Sequence, residues 1–323
     1  MKKTKKLLVL LIISVFTLSC DKDDDNGNEQ DTLNIVETAQ ATSDLSILVD
    51  AVIQADLVDA LSADGDRTVL APTNAAFTAF LSDNGFSSLS EVPNDVLTQI
   101  LLNHVIDGSN IMSTDLTGNS GYVNTLADGP NTTKLSIYYD GTSGVVFNGA
   151  STVSTPNIET SNGVVHIVNA VIGLPTIATF ATTNPNLSSL VDALAHADTG
   201  TPTVDYIDTV SDADLGPYTV FAPTNDAFAS LLTELGESAL TDIATGTVDA
   251  VLLHHIVDAN VQSSQLTSGT VTTLGGDITA DATAFTLTDT NNRVSNIITA
   301  LVDIQAINGV VHVIDKVILP EQQ

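Results

Sequence analysis

Leu70-Ala71-Pro72-Thr73-Asn74-Ala75-Ala76-Phe77 returns later in the chain as Phe221-Ala222-Pro223-Thr224-Asn225-Asp226-Ala227-Phe228, an offset of 151 residues (221 less 70). Two further blocks repeat in the same order. Leu101-Leu102-Asn103-His104-Val105-Ile106-Asp107 recurs as Leu252-Leu253-His254-His255-Ile256-Val257-Asp258 at the same offset. Asn162-Gly163-Val164-Val165-His166 recurs as Asn308-Gly309-Val310-Val311-His312 at an offset of 146. Three ordered blocks with nearly constant offsets describe a duplicated domain. Solenoid units run only about 20–50 residues, so a period this long marks two tandem globular copies.

Within the first block, Thr68-Val69-Leu70 and Thr219-Val220-Phe221 read as short buried strands. Pro72 and Pro223 end them. Thr73 or Asn74, and Thr224 or Asn225, can cap a following helix whose inner stripe is Phe77, Phe80 and Leu81, or Phe228, Leu231 and Leu232. A strand-turn-helix corner accounts for every residue type here, so these positions are read as structural. Upstream, Leu45, Leu48, Val49 and Val52 form an apolar helical stripe with Thr42 as N-cap. Copy two repeats it as Leu187, Leu190, Val191 and Leu194, with Asn184 as cap and Pro185 at the first helical position. The following stretch, Asp198 to Gly216, is read as a loop carrying a nine-residue insertion relative to copy one, which loop-closure entropy tolerates.

In the second block, Leu97, Ile100, Leu101 and His104 fall at helical spacing, as do Val248, Val251, Leu252 and His255. Both histidines are thus expected on the buried face of a helix, with their ring nitrogens hydrogen-bonded. His254 and His255 do not make a metal pair, because helix neighbours diverge by about 100° and strand neighbours point to opposite faces. Short strands follow at Leu135–Tyr139, Gly144–Phe147 and Ala284–Leu287, separated by turn residues such as Asp128-Gly129-Pro130 and Asp140-Gly141. Each copy closes on a β-branched run, Val164 to Ile172 and Val310 to Leu319. Apolar residues on both faces predict a central, covered strand. His166 and His312 sit among these valines and are read as core histidines.

The chain opens with a different kind of sequence. Lys2, Lys3, Lys5 and Lys6 precede an unbroken apolar run from Leu7 to Phe16, then Thr17-Leu18-Ser19-Cys20. That run is short of the ~20 residues a membrane span needs, so residues 1–19 are expected to be a cleaved export signal. Cys20 is the only cysteine, which rules out an internal disulfide. Its place resembles a bacterial lipobox, with Thr17 where a leucine is usual, and the resemblance implies a lipid anchor on Cys20. Residues 20–32 are expected to form an acidic, disordered tether. Asp21, Asp23 and Asp25 suggest a calcium loop, but the glycine and glutamate positions of an EF-hand hold Asn26 and Thr32. The acidic run also resembles the surface-export tag of some bacterial lipoproteins.

Four of the nine Lys and Arg residues lie in the signal and none of the 39 acids does, so the remainder carries five basic residues and a net charge of −34. Nucleic-acid binding needs Lys and Arg to displace counterions and is excluded. The acidity fits a salty medium or weak association with divalent cations; no cofactor or metal site is otherwise called for.

With these blocks placed, the chain resembles a fasciclin-like protein with two tandem FAS1 domains. Thr68 to Phe77 and Thr219 to Phe228 match the first signature, the helices leading to His104 and His255 match the short middle motif, and Asn162 to Val168 and Asn308 to Ile314 match the last. The resemblance implies an α+β fold in which each domain is a mixed β-wedge of about seven strands packed with a cluster of helices. The expected domains span 33–175 and 176–320, with 321–323 a tail. The motif residues Thr68, Pro72, Thr73, Asn74, Phe77, His104, Gly163 and His166, and Thr219, Pro223, Thr224, Asn225, Phe228, His255, Gly309 and His312, are assigned structural roles. Family members are mostly secreted or membrane-anchored and associated with cell adhesion. Many animal members place a tyrosine before the motif histidine, tied to integrin adhesion; Asn103 and His254 stand there, so that role does not transfer.

No nucleophile elbow, phosphate loop, dinucleotide fingerprint or zincin motif occurs. Tryptophan is absent and aromatics make up 4% of the chain, which disfavours a sugar-stacking cleft. The expected function is non-enzymatic: a surface-anchored adhesion module, lipidated at the outer membrane, that binds an extracellular protein or glycan. A carbohydrate-active or accessory enzyme and a passive envelope spacer are the alternatives.

Overall fold

The computed structural model describes residues 32–321. The export signal, Cys20 and the acidic run up to Asp31 lie outside the described residues, as do Gln322 and Gln323. In the first repeat the strands are β1 (Arg67–Pro72), β2 (Val105–Asp107), β3 (Ser120–Asp128), β4 (Lys134–Asp140), β5 (Val146–Phe147), β6 (Ser151–Thr160) and β7 (Gly163–Val168). They form one seven-stranded sheet in the order β2-β1-β7-β6-β5-β4-β3. The second repeat contributes β8 (Tyr218–Pro223), β9 (Ile256–Val257), β10 (Gly269–Thr273), β11 (Gly276–Asp281), β12 (Thr286–Thr288), β13 (Val294–Asn296), β14 (Ile304–Ala306) and β15 (Gly309–Ile314). These divide into two four-stranded sheets, β14-β15-β8-β9 and β10-β11-β12-β13.

Seven strands in one repeat and eight in the other have a local cause. Ser151 and Ser295 occupy matching places, donating from Oγ to Ala170 O and Lys316 O respectively. From there to the motif histidine the chain runs 15 residues to His166 but 17 to His312. In the first repeat β6 absorbs its irregularity as two register shifts against β7. In the second, a 3-10 turn at Thr299–Leu301 takes up the extra length and splits the strand into β13 and β14.

The first and third sequence blocks lie side by side. β1 pairs in parallel with β7 from Thr68↔Val164 to Pro72↔Val168, and β8 pairs with β15 from Tyr218↔Gly309 to Pro223↔Ile314. Pro72 and Pro223 therefore end their strands while still in register. The β-branched runs are central, as their two apolar faces predict, although the strands stop at Val168 and Ile314 rather than continuing to Ile172 and Leu319. Glycine opens each of these strands because the backbones touch. A Cβ on Gly163 would lie 2.3 Å from Arg67 O, and one on Gly309 would lie 2.2 Å from Tyr218 O.

Helices cover one side. Thr73 and Thr224 accept from Ala76 N and Ala227 N and so cap Asn74–Asp83 and Asn225–Leu235. Asn74 and Asn225 do something else. Their Oδ1 atoms accept from Ile47 N and Ser189 N, capping the preceding helices Ser46–Gln54 and Ser188–Asp198 across space. Thr42 is accordingly not the side-chain cap of that helix; its hydroxyl donates back to Thr38 O. Asn184 does cap, accepting from Asn186 N in the 3-10 turn Pro185–Leu187 that leads into its helix. The stretch from Asp198 to Gly216 is not all loop: Tyr206–Ser211 is helical. Tyr206 is fully buried, and its hydroxyl donates to Asp249 Oδ1 at 2.7 Å. Sequence spacing missed this because a six-residue helix has too few turns to show periodicity.

The third block carries a second asparagine device. Asn162 Oδ1 accepts from Ile35 N, and its Nδ2 donates to Leu61 O and Ala63 O, all at 2.9 Å. Asn308 does the same with Ile177 N, Val210 O and Asp212 O. One buried amide thus closes a helix N-terminus and a helix C-terminus onto the sheet. Each repeat packs two apolar clusters, one under the helices and one inside the wedge. Asn162→Ala should destabilise the protein by about 1–3 kcal/mol by orphaning three backbone groups. A urea titration would show a lower midpoint at unchanged slope; an unaltered midpoint would remove this role from Asn162.

Candidate functional site

Each repeat sets its two motif histidines into its interior, and all four are held by main-chain groups. His104 and His255 do not lie on their helices. The helices end at Leu102 and Leu253, and the histidines follow in the turn, still facing inward. The Nδ1 atoms sit 2.7 and 2.8 Å from Ile100 O and Val251 O. A carbonyl only accepts, so Nδ1 carries the proton. Nε2 then accepts from Ile172 N at 2.9 Å and Ile318 N at 3.0 Å, just beyond the closing strand. Burial holds both rings far below the ordinary histidine value, at about 4.

His166 and His312 use the other tautomer. Nε2 donates to Ile111 O at 2.8 Å and Val261 O at 2.9 Å, while Nδ1 accepts from Asn157 N and Asp303 N. Asn157 and Asp303 have φ of 59° and 55°, the left-handed conformation that Asn and Asp tolerate best among residues with a Cβ. Their side chains accept from Ser113 N and Ser263 N, which fixes the loop carrying the histidine's acceptor. Thr68 and Thr219 complete it: each hydroxyl donates to Ser109 O or Ala259 O and accepts from Ile111 N or Val261 N. Burial lowers the pKa of both rings. Asp303 Oδ1 lies 3.9 Å from His312 Nδ1, yet this is not an ion pair, because burial outweighs the carboxylate and Nδ1 is occupied by an N–H.

Neither histidine pair offers a free ring nitrogen, and Phe77 and Phe228 are core. Asn103, at the position before the motif histidine, donates to Gly173 O and accepts from Thr125 Oγ1. His254 is tied to Ala250 O. Among the described residues no group of three His, Cys, Asp or Glu side chains could hold a metal ion. No helix among them is long and apolar enough to cross a membrane.

The place with accessible polar chemistry lies where the repeats meet. Tyr122 and Tyr138 meet in a tilted pair 5.1 Å between centroids, and Phe180 of the second repeat meets Tyr122 edge-on at 5.5 Å. Asn184 donates to the Tyr122 hydroxyl, Ile307 N to Pro175 O, and Gln305 N to Ser136 Oγ. Beside these contacts β3 and β4 face Ala300–Ile304 across a cleft of about 490 Å³. Ser136 Oγ donates to Asn124 Oδ1, and the exposed Asn124 amide lies on the β3 side of the cleft. Tyr139 lies over Gly121, its cross-strand partner, and forms an aromatic wall. Pairing of β3 with β4 and the register of Ala300–Ile304 create this cleft, and no sequence block marks it.

The neutral histidines give a pH signature. Unfolded, His104 and His255 titrate near 6.5; folded, near 4. Between those values the unfolded chain binds protons that the folded one does not. Their stability contribution is therefore complete above pH 6.5 and is lost as pH falls toward 4, by roughly 3 kcal/mol per ring. At pH 5.5, ¹⁵N-detected NMR should find His104 and His255 neutral with the proton on Nδ1; at neutral pH, His166 and His312 should carry theirs on Nε2. An imidazolium signal from His104 or His255 at the lower pH would contradict the assignment.

A family model described as the Fasciclin domain matches residues 43–175 and 185–320. Protein sll1483 of Synechocystis is 35% identical over 173 residues, 53% of this chain and 89% of its own length. Cell surface glycolipoprotein MPB83 of Mycobacterium bovis is 33% identical over 147 residues, 46% of this chain and 61% of its own. A solved FAS1 domain pair from the insect cell adhesion molecule Fasciclin I covers 87% of this chain and 97% of its own, at 18% identity and a TM-score of 0.49.

Proposed function

Because the chain belongs to the fasciclin domain family, matched twice along its length, we propose that it is a surface-displayed adhesion module whose two repeats jointly bind an extracellular protein or glycan. The family is one of binding and adhesion modules and not of enzymes. The cleft between the repeats carries the reading. Its volume of about 490 Å³ falls in the range of ligand sites, which favour domain interfaces. Its lining mixes hydroxyl groups, the Asn124 amide, the Tyr139 ring and aliphatic Leu301 and Val302, a set that suits a polar partner with some apolar surface. The motif histidines support binding only indirectly, by fixing the loops and strands that frame each repeat. No cofactor enters this reading; the acidic surface bears at most a weak divalent-cation atmosphere.

Display at the surface rests on residues outside the structure. Cys20, behind an apolar run and a basic start, would receive a lipid that holds the protein at the outer membrane. The cell surface glycolipoprotein MPB83 is a relative whose name describes such a display. Labelled palmitate should enter the full-length protein in a producing bacterium and be absent from Cys20→Ala; equal labelling of both would refute the anchor.

Binding is tested with residues 21–323 immobilised against glycans and envelope proteins, each with calcium and with chelator. Saturable binding to one class is expected, with little change on chelation. Ala300→Arg places a long side chain at an exposed cleft residue. It should weaken that binding about tenfold or more while leaving the melting temperature in place. Undiminished binding by this variant would move the site elsewhere, and no binding at all would favour a passive spacer.

A further inference from the structure

The second repeat contains an apolar pocket of about 220 Å³, open to solvent beside the exposed Leu235 and separate from the cleft between the repeats. Helices Asn225–Leu235 and Thr245–Leu253 form its walls, with Phe228, Leu231, Leu235, Ile243, Val248 and Val251 turned into it. The segment Leu319–Glu321 closes another side. Only Thr247 and Glu321 bring polar side chains to the lining.

The duplication indicates what such a space accommodates. At the 151-residue offset, Leu231 corresponds to Phe80, Leu235 to Asn84 and Glu237 to Phe86. In the first repeat both phenylalanine rings pack against the helical core. The second repeat lacks two rings in this region, with a smaller leucine at one place and an exposed glutamate at the other. The gap stays open in the fold, and Arg293 bridges two of its walls. Arg293 donates to Glu234 Oε2 at 2.6 Å on the helix wall, and to Val317 O at 3.0 Å on the C-terminal segment. It also meets Asp289, which is buried and accepts from Leu319 N. Ser151 and Ser295 are structural equivalents; two residues before them stand Gly149 and Arg293, so the guanidinium belongs to the second repeat alone.

We propose that this pocket binds a small uncharged hydrophobic molecule about the size of one aromatic ring. An apolar cavity of roughly 150 Å³ in another protein stays dry and takes up benzene, so the volume is sufficient. Charge selects further. Glu321 at the rim and the acid excess of the whole chain oppose an anionic ligand, and nothing in the lining could neutralise one. The occupant is thus a neutral ring or a short alkyl chain, not a fatty acid.

The test is a titration of the full chain with toluene, followed by methyl NMR and by thermal melting. Saturable shifts confined to the methyls of Leu231, Leu235, Val248 and Val251 are expected, together with a rise in melting temperature. Benzoate, the same ring with a carboxylate, should bind at least tenfold more weakly. Leu231→Phe follows the first repeat and should abolish the toluene shifts. Leu235→Trp, at a rim position 44% exposed, does the same without altering the deep core, and serves if the first variant does not fold. Non-saturable shifts in the wild type, equal affinity for benzoate, or undiminished toluene binding in a folded variant would each overturn the proposal.

Discussion

Each repeat depends on a parallel contact between two strands that lie almost a hundred residues apart in sequence. β1 and β7, and likewise β8 and β15, run side by side with their backbones close enough that only glycine fits at the start of the later strand. A parallel pair cannot be joined by a tight turn, so everything between the two strands must travel away and return. The helices, the loop before β3 and the outer strands of the wedge are that excursion. The buried asparagines at positions 162 and 308 then tie the ends of two helices to the turn before the closing strand. Removing this contact would leave the helical layer and the wedge with no common partner.

The histidines extend the same constraint through hydrogen bonds. Each uses one ring nitrogen as donor and the other as acceptor, and two opposite tautomers serve two different junctions. His104 and His255 join a helix C-terminus to the segment past the closing strand. His166 and His312 join that strand to a left-handed kink and to the loop that Thr68 or Thr219 also holds. Neutral rings suit these places, since a buried charge without a counterion would be destabilising. Ion pairs contribute little by comparison. Asp107, Asp128 and Glu234, the carboxylates that pair with Arg67, Lys134 and Arg293 at the surface, are about half exposed, where such pairs are worth about 0–1 kcal/mol; only the Arg293 contact with Asp289 is buried. The acid excess therefore rides on a fold stabilised by apolar packing and saturated backbone hydrogen bonds.

Duplication kept the framework and released the surface. Thr68, Asn74, His104, Asn162 and His166 have partners in the second repeat that make the same hydrogen bonds with the same kinds of groups. Outside that framework the repeats differ. The second has a buried Tyr206 on the helix that corresponds to Val58–Ser62, a strand split by two added residues and an Arg293 bridge, and it lacks the rings of Phe80 and Phe86. The cleft lies between the repeats, and the apolar pocket lies in the second.

The sequence by itself determined the duplication, the strand-turn-helix corner at Pro72 and Pro223, the central position of the closing strands and the interior place of the four motif histidines. These follow from local periodicity, from residue type and from comparison of the chain with itself. It placed His104 and His255 on helices that end two residues before them, took Thr42 for a cap, and read the Tyr206 helix as loop. In each case a contact from elsewhere in the chain sets the local outcome: Asn74 caps the helix that Thr42 precedes, and Asp249 holds Tyr206. The histidine tautomers, the parallel register, the meeting of Tyr122 with Phe180 and the cleft beside it were decided only by the tertiary structure. They arise between residues far apart in sequence, where long-range packing and hydrogen-bond geometry, not local spacing, choose the partner.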